Sequence, residues 1–399
     1  MFTEKNIVVI LGVLLSLSFW DCSGEQKNVN GNPTGDLISI SELPNYDTSS
    51  SGLIAGYFSM YSEGGLPDNP DYLLTDKDLG DFRKILENAS DPEKIKTINF
   101  RNCRLERLPD VVSEMKNLVS IDLSENPELD FSDAFQKLGK LKKIRHVMLS
   151  DNNFTLLPAN IIQLKEITSL DLSQNLDLGL EDAFRKLAQL GKLTSLDISN
   201  NIFAEIPPGI AMLSNLRRID LGYNWLQAVP PGIFRLAGLK ELVLKGNAIR
   251  QLPDAIVSLG MLEVLDISFN ELLFISDSLY ALDGLEVLIM DGNPGLDYDY
   301  ICRRLAANCN IKVLSIAKNW LKAVPGPIAD CKAIEELNLG YNYISSLPQD
   351  LFDLKHLKIL DISGNKIRYI NKNIIKKQLA KTLIKNYNND SDSTLDLIY

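Results

Sequence analysis

The sequence predicts an α/β fold of the solenoid kind, a stack of short units that each supply one strand. Three observations predict it. A branched aliphatic residue recurs every 23 or 26 positions from Ile95 onward. An asparagine follows eight residues after nearly every one of them. Most units then close on either an aliphatic–proline pair or a helix-forming stretch. Self-similarity at a fixed period of this length outranks any other reading of a chain.

The units open at Ile95, Leu118, Ile144, Ile167, Leu193, Leu216, Leu239, Leu262, Leu285, Ile311, Ile334 and Leu357. Those starting at Leu118, Ile167 and Leu285 have 26 residues; the other internal ones have 23. A clean example, Leu216 to Gly238, reads LRRIDLGYNWLQAVPPGIFRLAG. Positions 1, 4 and 6 are aliphatic, as in Leu216, Ile219 and Leu221, and the alternation at 4 and 6 suits a short strand with one buried face. Position 9 is Asn in all units after the first: Asn126, Asn152, Asn175, Asn201, Asn224, Asn247, Asn270, Asn293, Asn319, Asn342 and Asn365. A carboxamide both donates and accepts, so a stack of them can satisfy backbone groups where the chain leaves the strand. The first unit has Cys103 there, and its turn is expected to be less well satisfied.

Aliphatic–proline pairs follow at Leu108-Pro109, Leu157-Pro158, Ile206-Pro207, Val229-Pro230, Leu252-Pro253, Val324-Pro325 and Leu347-Pro348. Proline fixes φ and lacks a donor, which predicts an irregular extended connection. The 26-residue units instead carry FSDAFQKLGKLKK, LEDAFRKLAQLGK and, from Tyr298, YDYICRRLAANC. Good helix formers with apolar residues three apart predict a short helix in that slot.

This ladder resembles the leucine-rich repeat family, close to its LPxxIxxLxxL subtype, over roughly 70 per cent of the chain, Ile95 to Leu379. The resemblance implies a curved solenoid, with a parallel sheet on the concave side and turns or short helices on the convex side. Strands at ~4.8 Å then give an inner arc of roughly 50 Å. One unit cannot bury its own apolar face, so stability comes from stacking on neighbours.

The ends differ from the array. The apolar run Ile7–Trp20 is too short for a comfortable membrane span of about 20 residues and suits a secretory signal peptide. Cys22, followed by Ser23 and Gly24, resembles the lipid-modified cysteine of bacterial lipoproteins, although Trp20 and Asp21 stand where that motif has small residues. Lipid anchoring, plain secretion and a membrane-anchored or intracellular chain therefore remain open at this point. The expected divisions are 1–22 signal peptide, 23–72 tether, 73–94 capping helix, 95–383 repeat domain and 384–399 tail. Thr75 and Asp78 suit a helix start, with Leu79, Phe82, Ile85 and Leu86 on one face. At the other end IIKKQLAKTLIKN reads as an amphipathic closing helix carrying Ile374, Leu379 and Leu383.

The residues offer little chemistry. Beyond Cys22 the cysteines are Cys103, Cys302, Cys309 and Cys331, with no CxxC pair, and the histidines are His146 and His356, so no zinc spacing arises. Cys302 and Cys331 occupy core slots matching Phe135 and Leu213. Cys309 and Cys331 lie about one repeat apart and form a candidate disulfide. No catalytic constellation, metal site or cofactor motif emerges, and the expectation is a non-enzyme without cofactors. Asp122, Asp171, Asp197, Asp220, Asp266 and Asp361 share position 5, expected to face out of the concave side as a solvated column or a site for Ca²⁺ or a basic partner. The interruptions Met148, Val243 and Ile289 argue against a continuous metal ladder and extend apolar character onto that face. Asn88 and Asn153 lie in glycosylation-type triplets.

A formal charge of −11 argues against nucleic acid as a partner, since phosphate binding wants a basic face. The remaining signal is aromatic. Tyr223, Phe269 and Tyr341 fall at position 8, and Trp225, Trp320 and Tyr343 at position 10. Large amphipathic rings at an exposed edge anchor protein contacts and can stack on sugars. Together with Met148, Val243 and Ile289 they mark the expected partner surface of a monomeric recognition module. A glycan-binding surface and a structural or intracellular signalling scaffold are the alternatives.

Overall fold

The computed structural model describes residues 72–73, 95–307, 310–367 and 382–385, all within one compact unit, Ser49–Tyr399. Each repeat contributes one three-residue strand from its positions 3 to 5. These are β2 (Thr97–Asn99), β3 (Ser120–Asp122), β4 (His146–Met148), β5 (Ser169–Asp171), β6 (Ser195–Asp197), β7 (Arg218–Asp220) and β8 (Glu241–Val243). The series continues with β10 (Val264–Asp266), β12 (Val287–Ile289), β13 (Val313–Ser315), β14 (Glu336–Asn338) and β15 (Ile359–Asp361). With β1 (Tyr72–Leu73) before them and β16 (Leu383–Lys385) after them, they make a curved 14-stranded parallel sheet. β9 (Gln251–Leu252) and β11 (Phe274–Ile275) pair separately.

Register repeats without slippage. Ile219 at position 4 lies between Leu196 and Leu242, the same position in its two neighbours, and all three point into the core. A one-residue slip would turn that aliphatic column to the opposite face, so the buried side dictates the pairing. Positions 3 and 5 point to the concave face.

The asparagine ladder works as its chemistry requires. The Asn224 amide donates to the carbonyls of Leu221 and Gly222 in its own turn and of Ile198 in the preceding unit, at 3.1–3.2 Å. Its Oδ1 accepts from the Phe203 N–H at 3.2 Å. In the first unit the Cys103 thiol reaches the Arg101 carbonyl at 3.6 Å, a weak bond. The deficit expected there is partly filled from the next unit, where Asn126 donates to the Phe100 carbonyl at 2.8 Å and accepts from the Leu105 N–H at 3.0 Å.

The convex side is more regular than the proline pattern predicts. Instead of an irregular extended connection, a one-turn 3₁₀ helix starts directly after each proline, as in Pro208–Met212 and Pro231–Arg235. Proline sits at the cap, where no intrahelical donor is needed, and the third residue of the turn, Ile210 or Ile233, is buried. The long units carry the expected helices, α1 (Phe131–Leu138), α2 (Leu180–Leu187) and α3 (Tyr298–Ala307). Asp130 caps α1 by accepting from the Asp133 N–H. Cys302 is fully buried in the slot held by Phe135 and Phe184, and Cys331 is buried in the slot of Leu213. In α3 the slot of Phe131 holds Tyr298, whose hydroxyl reaches the carbonyls of Met290 and Asn293, each at 3.1 Å.

The sheet extends further than the repeat pattern. Tyr72–Leu73, placed by the sequence at the junction of tether and capping helix, is a strand on β2. Leu383, expected on the closing helix, lies in a strand on β15. Both are too short to show a period. The signal-peptide residues, Cys22, Asn88, the capping helix and Cys309 of the candidate disulfide lie outside the described residues.

Candidate functional site: an aromatic rim on the concave sheet

Position 8 of every repeat has a positive φ: Asn102, Glu125, Asp151, Gln174, Asn200, Tyr223, Gly246, Phe269, Gly292, Lys318, Tyr341 and Gly364. The cause is the backbone ladder. A left-handed residue here aims its N–H at the position-7 carbonyl of the next unit, as Tyr223 does on Lys245 at 2.6 Å and Phe269 on Asp291 at 2.7 Å. The conformation is therefore imposed by the fold, and glycine is the residue that adopts it without steric cost. Three units use glycine. Three others use Tyr or Phe, for which this region is an outlier.

The aromatic and glycine residues interlock. A Cβ on Gly246 would lie 2.5 Å from the Tyr223 ring, one on Gly292 2.7 Å from the Phe269 ring, and one on Gly364 2.6 Å from the Tyr341 ring. Each ring thus lies across the glycine of the following repeat. Lysines complete the row. The Lys245 ammonium stands 5.6 Å from the Tyr223 centroid and 5.5 Å from that of Phe269. Lys318 stands 5.3 Å from Phe269 and 5.4 Å from Tyr341. Alongside, Lys366 lies 4.8 Å from the Tyr343 centroid. These are cation–π distances. Burial disfavours the Lys245 charge, but Tyr223, Asp266 and Asp291 outweigh it and raise its pKa.

Even so seated, the rings stay open to solvent. Tyr223, Trp225, Tyr341 and Tyr343 are 48–49% exposed, Phe269 38% and Trp320 65%. Trp320 also has a positive φ. The six aromatics thus share one rim of the sheet, with position 10 just beyond position 8.

Residues 191–249, 214–272, 237–294 and 309–367 match the family model described as leucine rich repeat. The strand, asparagine turn and convex helical turn repeat through the described units in the same order. The chain has the leucine-rich repeat fold. Among solved structures, an internalin from Listeria monocytogenes is similar at 18% identity and a TM-score of 0.54, over 78% of this chain and 94% of that one. A leucine-rich repeat protein of Leptospira interrogans is similar at 21% identity and 0.41, over 75% and 98%. The ectodomain of the Arabidopsis thaliana receptor kinase GASSHO1/SCHENGEN3 is similar at 20% and 0.45; the match covers 73% of this chain and 38% of that one. No curated protein matches the sequence.

Within this leucine-rich repeat sheet the aspartate column is turn architecture. Asp122, Asp171, Asp197, Asp220, Asp266 and Asp361 each accept, through Oδ1, the N–H two residues ahead at 2.8–2.9 Å. Asn338 does the same for Gly340. The Asp-x-Ser/Gly spacing was the signal for this bond. The carboxylates are also less solvated than the sequence suggests. Burial, then Asp197, pushes Asp171 up to about 6 and Asp220 up to about 7. Burial pushes Asp291 up to about 6. Arg218 bridges two of the acids, with Nη2 3.0 Å from Asp220 and Nε 2.9 Å from Glu241. Among the described residues no group of three or more His, Cys, Asp or Glu side chains could hold a metal ion.

Expected as exposed apolar interruptions, Val243 and Ile289 are only 6% and 4% exposed, and Met148 is half-buried. Val243 stands in register between Asp220 and Asp266, and Ile289 between Asp266 and Ser315, inside a strip of buried concave residues that includes Val264 and Val287. Sequence alternation gives the face a residue points to, but not how crowded that face is.

Proposed function

We propose that this chain is a non-catalytic, extracytoplasmic recognition module that binds a protein partner through the rim of Tyr223, Phe269 and Tyr341, flanked by Trp225, Trp320 and Tyr343. The observation that carries this reading is where those rings sit. Tyr and Phe occupy left-handed positions at which glycine serves in three sister units, and they leave 38–48% of their surface in water. An L-residue in that conformation costs roughly 1–2 kcal/mol. The fold imposes the conformation on every unit, but the exposure of large rings does not aid folding and is characteristic of a binding surface. Met148, Val243 and Ile289 are left out because their surface is largely covered. The export-like run Ile7–Trp20 and Cys22, the proposed lipid attachment point, support a place outside the cytoplasm.

The test is a pull-down from cell-envelope material, comparing the native chain with Tyr223→Ser/Phe269→Ser/Tyr341→Ser. Partner retention should fall sharply while the circular dichroism spectrum and thermal midpoint stay close to native. Equal retention by both proteins rejects the rim as the site.

A further inference from the structure

We infer that the partner segment received by this rim is an extended, acidic stretch of polypeptide; the inference rests on the recognition reading above and names the chemistry of its ligand. The two edges of the sheet treat their lysines differently. On the incoming edge, position-2 lysines are neutralised by carboxylates of adjacent repeats: Lys240 with Glu263 and Lys312 with Glu286, each at 2.6 Å, and Lys358 with Glu335 at 2.5 Å. On the aromatic rim, Lys245, Lys318 and Lys366 stand over rings instead, and among the described residues none of them makes an ion pair. Asp266 and Asp291 influence Lys245 from beyond ion-pair distance. Lys318 and Lys366 are exposed.

A ring satisfies a cation only partly. The quadrupole attracts the ammonium from one side and leaves its remaining donors to water or to an anion. The rim therefore keeps positive charge out of direct ion pairs on a chain of net charge −11. The order along it is ring, lysine, ring, lysine, ring: Tyr223, Lys245, Phe269, Lys318, Tyr341. Five repeat steps separate the first ring from the last, roughly 24 Å at strand spacing, a length that about seven residues of extended chain would span. Carboxylates on such a segment would meet the ammonium groups while its intervening side chains lie on the open ring faces. The negative remainder of the surface repels acidic chains that cannot reach this row, which sharpens selection.

The experiment titrates poly-L-glutamate into the full chain at low salt and follows tryptophan emission, which Trp225 and Trp320 report from the rim. Saturable binding is expected, weakening as salt rises. Lys245→Met/Lys318→Met/Lys366→Met keeps the apolar stems and should raise half-saturation roughly tenfold for the loss of three such charged contacts. The corresponding triple Lys→Arg protein should bind like the native chain, which separates lost charge from lost fold. Absence of saturation, or an unchanged midpoint in the Met protein, overturns the inference. So does saturation by polygalacturonate without saturation by polyglutamate, which would assign the row to acidic sugars. If polyglutamate fails while the ring-dependent partner is still captured, the acidic chemistry falls and the recognition reading stands.

Discussion

Replacing Gly246 by alanine perturbs the seat of the first rim ring in a way that can be worked through. The residue has φ +69°, and the added Cβ would lie 2.5 Å from Tyr223 Cδ1 and 2.9 Å from Cε1. Two costs arise. The left-handed backbone costs an L-residue roughly 1–2 kcal/mol. The ring must also leave its rotamer, at roughly 0.5–1.5 kcal/mol. Against these, alanine restricts the unfolded chain and returns roughly 0.4–1 kcal/mol. A net loss of about 1–2 kcal/mol is expected. In a Tyr223→Ala background the ring is gone, so only the backbone and unfolded-state contributions remain. Those are common to both backgrounds and cancel in a double-mutant cycle, leaving a coupling of about 1 kcal/mol for the ring–glycine contact. Urea unfolding of the four proteins measures it. Gly191→Ala is the control, since nothing lies within 4 Å of its added Cβ and its φ is not positive. A coupling below about 0.3 kcal/mol, within the scatter of independent sites, would show that ring and glycine do not depend on each other.

Two further outcomes are expected. Phe269→Gly should leave stability unchanged or raise it by up to ~1 kcal/mol, because relief of the left-handed strain offsets the lost contacts of a ring already 38% exposed; a clear loss in the urea midpoint would mean that the ring is structural. Asp171→Asn addresses pH. The Asp171 carboxyl is held near 6 by burial and Asp197, against about 3.9 in an unfolded chain, so the folded state binds the proton more tightly. Between those values the folded chain carries more protons, and Asp171 makes stability rise as pH falls from about 7 to about 4. Asparagine keeps an Oδ1 to accept the Ser173 N–H, now at 2.8 Å, and removes the charge. The variant should gain thermal stability at pH 7 and show a shallower pH slope than the native chain; parallel slopes refute the assignment.

Most of the solenoid was legible because stacking makes each repeat testify to the others. Ile219, Asn224 and Ile233 have counterparts at fixed offsets, and a period of 23 or 26 exposes them at once. The exposed aromatics were legible too, since Tyr223 and Trp225 fall outside every core position. Their backbone was not. Gly246, Gly292 and Gly364 share position 8 with Tyr223, Phe269 and Tyr341, and that coincidence was the available signal for a left-handed column. The lysine row was hidden for another reason. Lys245 is at position 7 and Lys318 at position 8, so no single register collects them; their meeting over Phe269 depends on how far a ring reaches across glycine. The burial of Val243 and Ile289 depends on side chains two strands away, which a one-strand pattern does not weigh.

The proposed rim also suggests how a repeat fold could acquire a site without disturbing its core. Position 8 is fixed in conformation by a main-chain bond to the next unit, so its side chain takes no part in the aliphatic columns of the core. Substituting there changes the strain of one residue by roughly 1–2 kcal/mol and nothing in the aliphatic columns. A ring at position 8 needs room in one direction only, over the following repeat, and glycine at the same position of that repeat provides it. The pair is therefore the minimal unit of variation: Tyr223 with Gly246, Phe269 with Gly292, Tyr341 with Gly364. The other position-8 residues, Asn102 to Asn200 and Lys318, are polar and have no such glycine after them. That confines the aromatic pairs to the second half of the array, the same stretch in which the lysines stand over rings. Coincidence of three glycine-seated aromatics with lysines that make no ion pair among the described residues follows from neither helix, strand nor turn requirements, and the partner proposed above would read both.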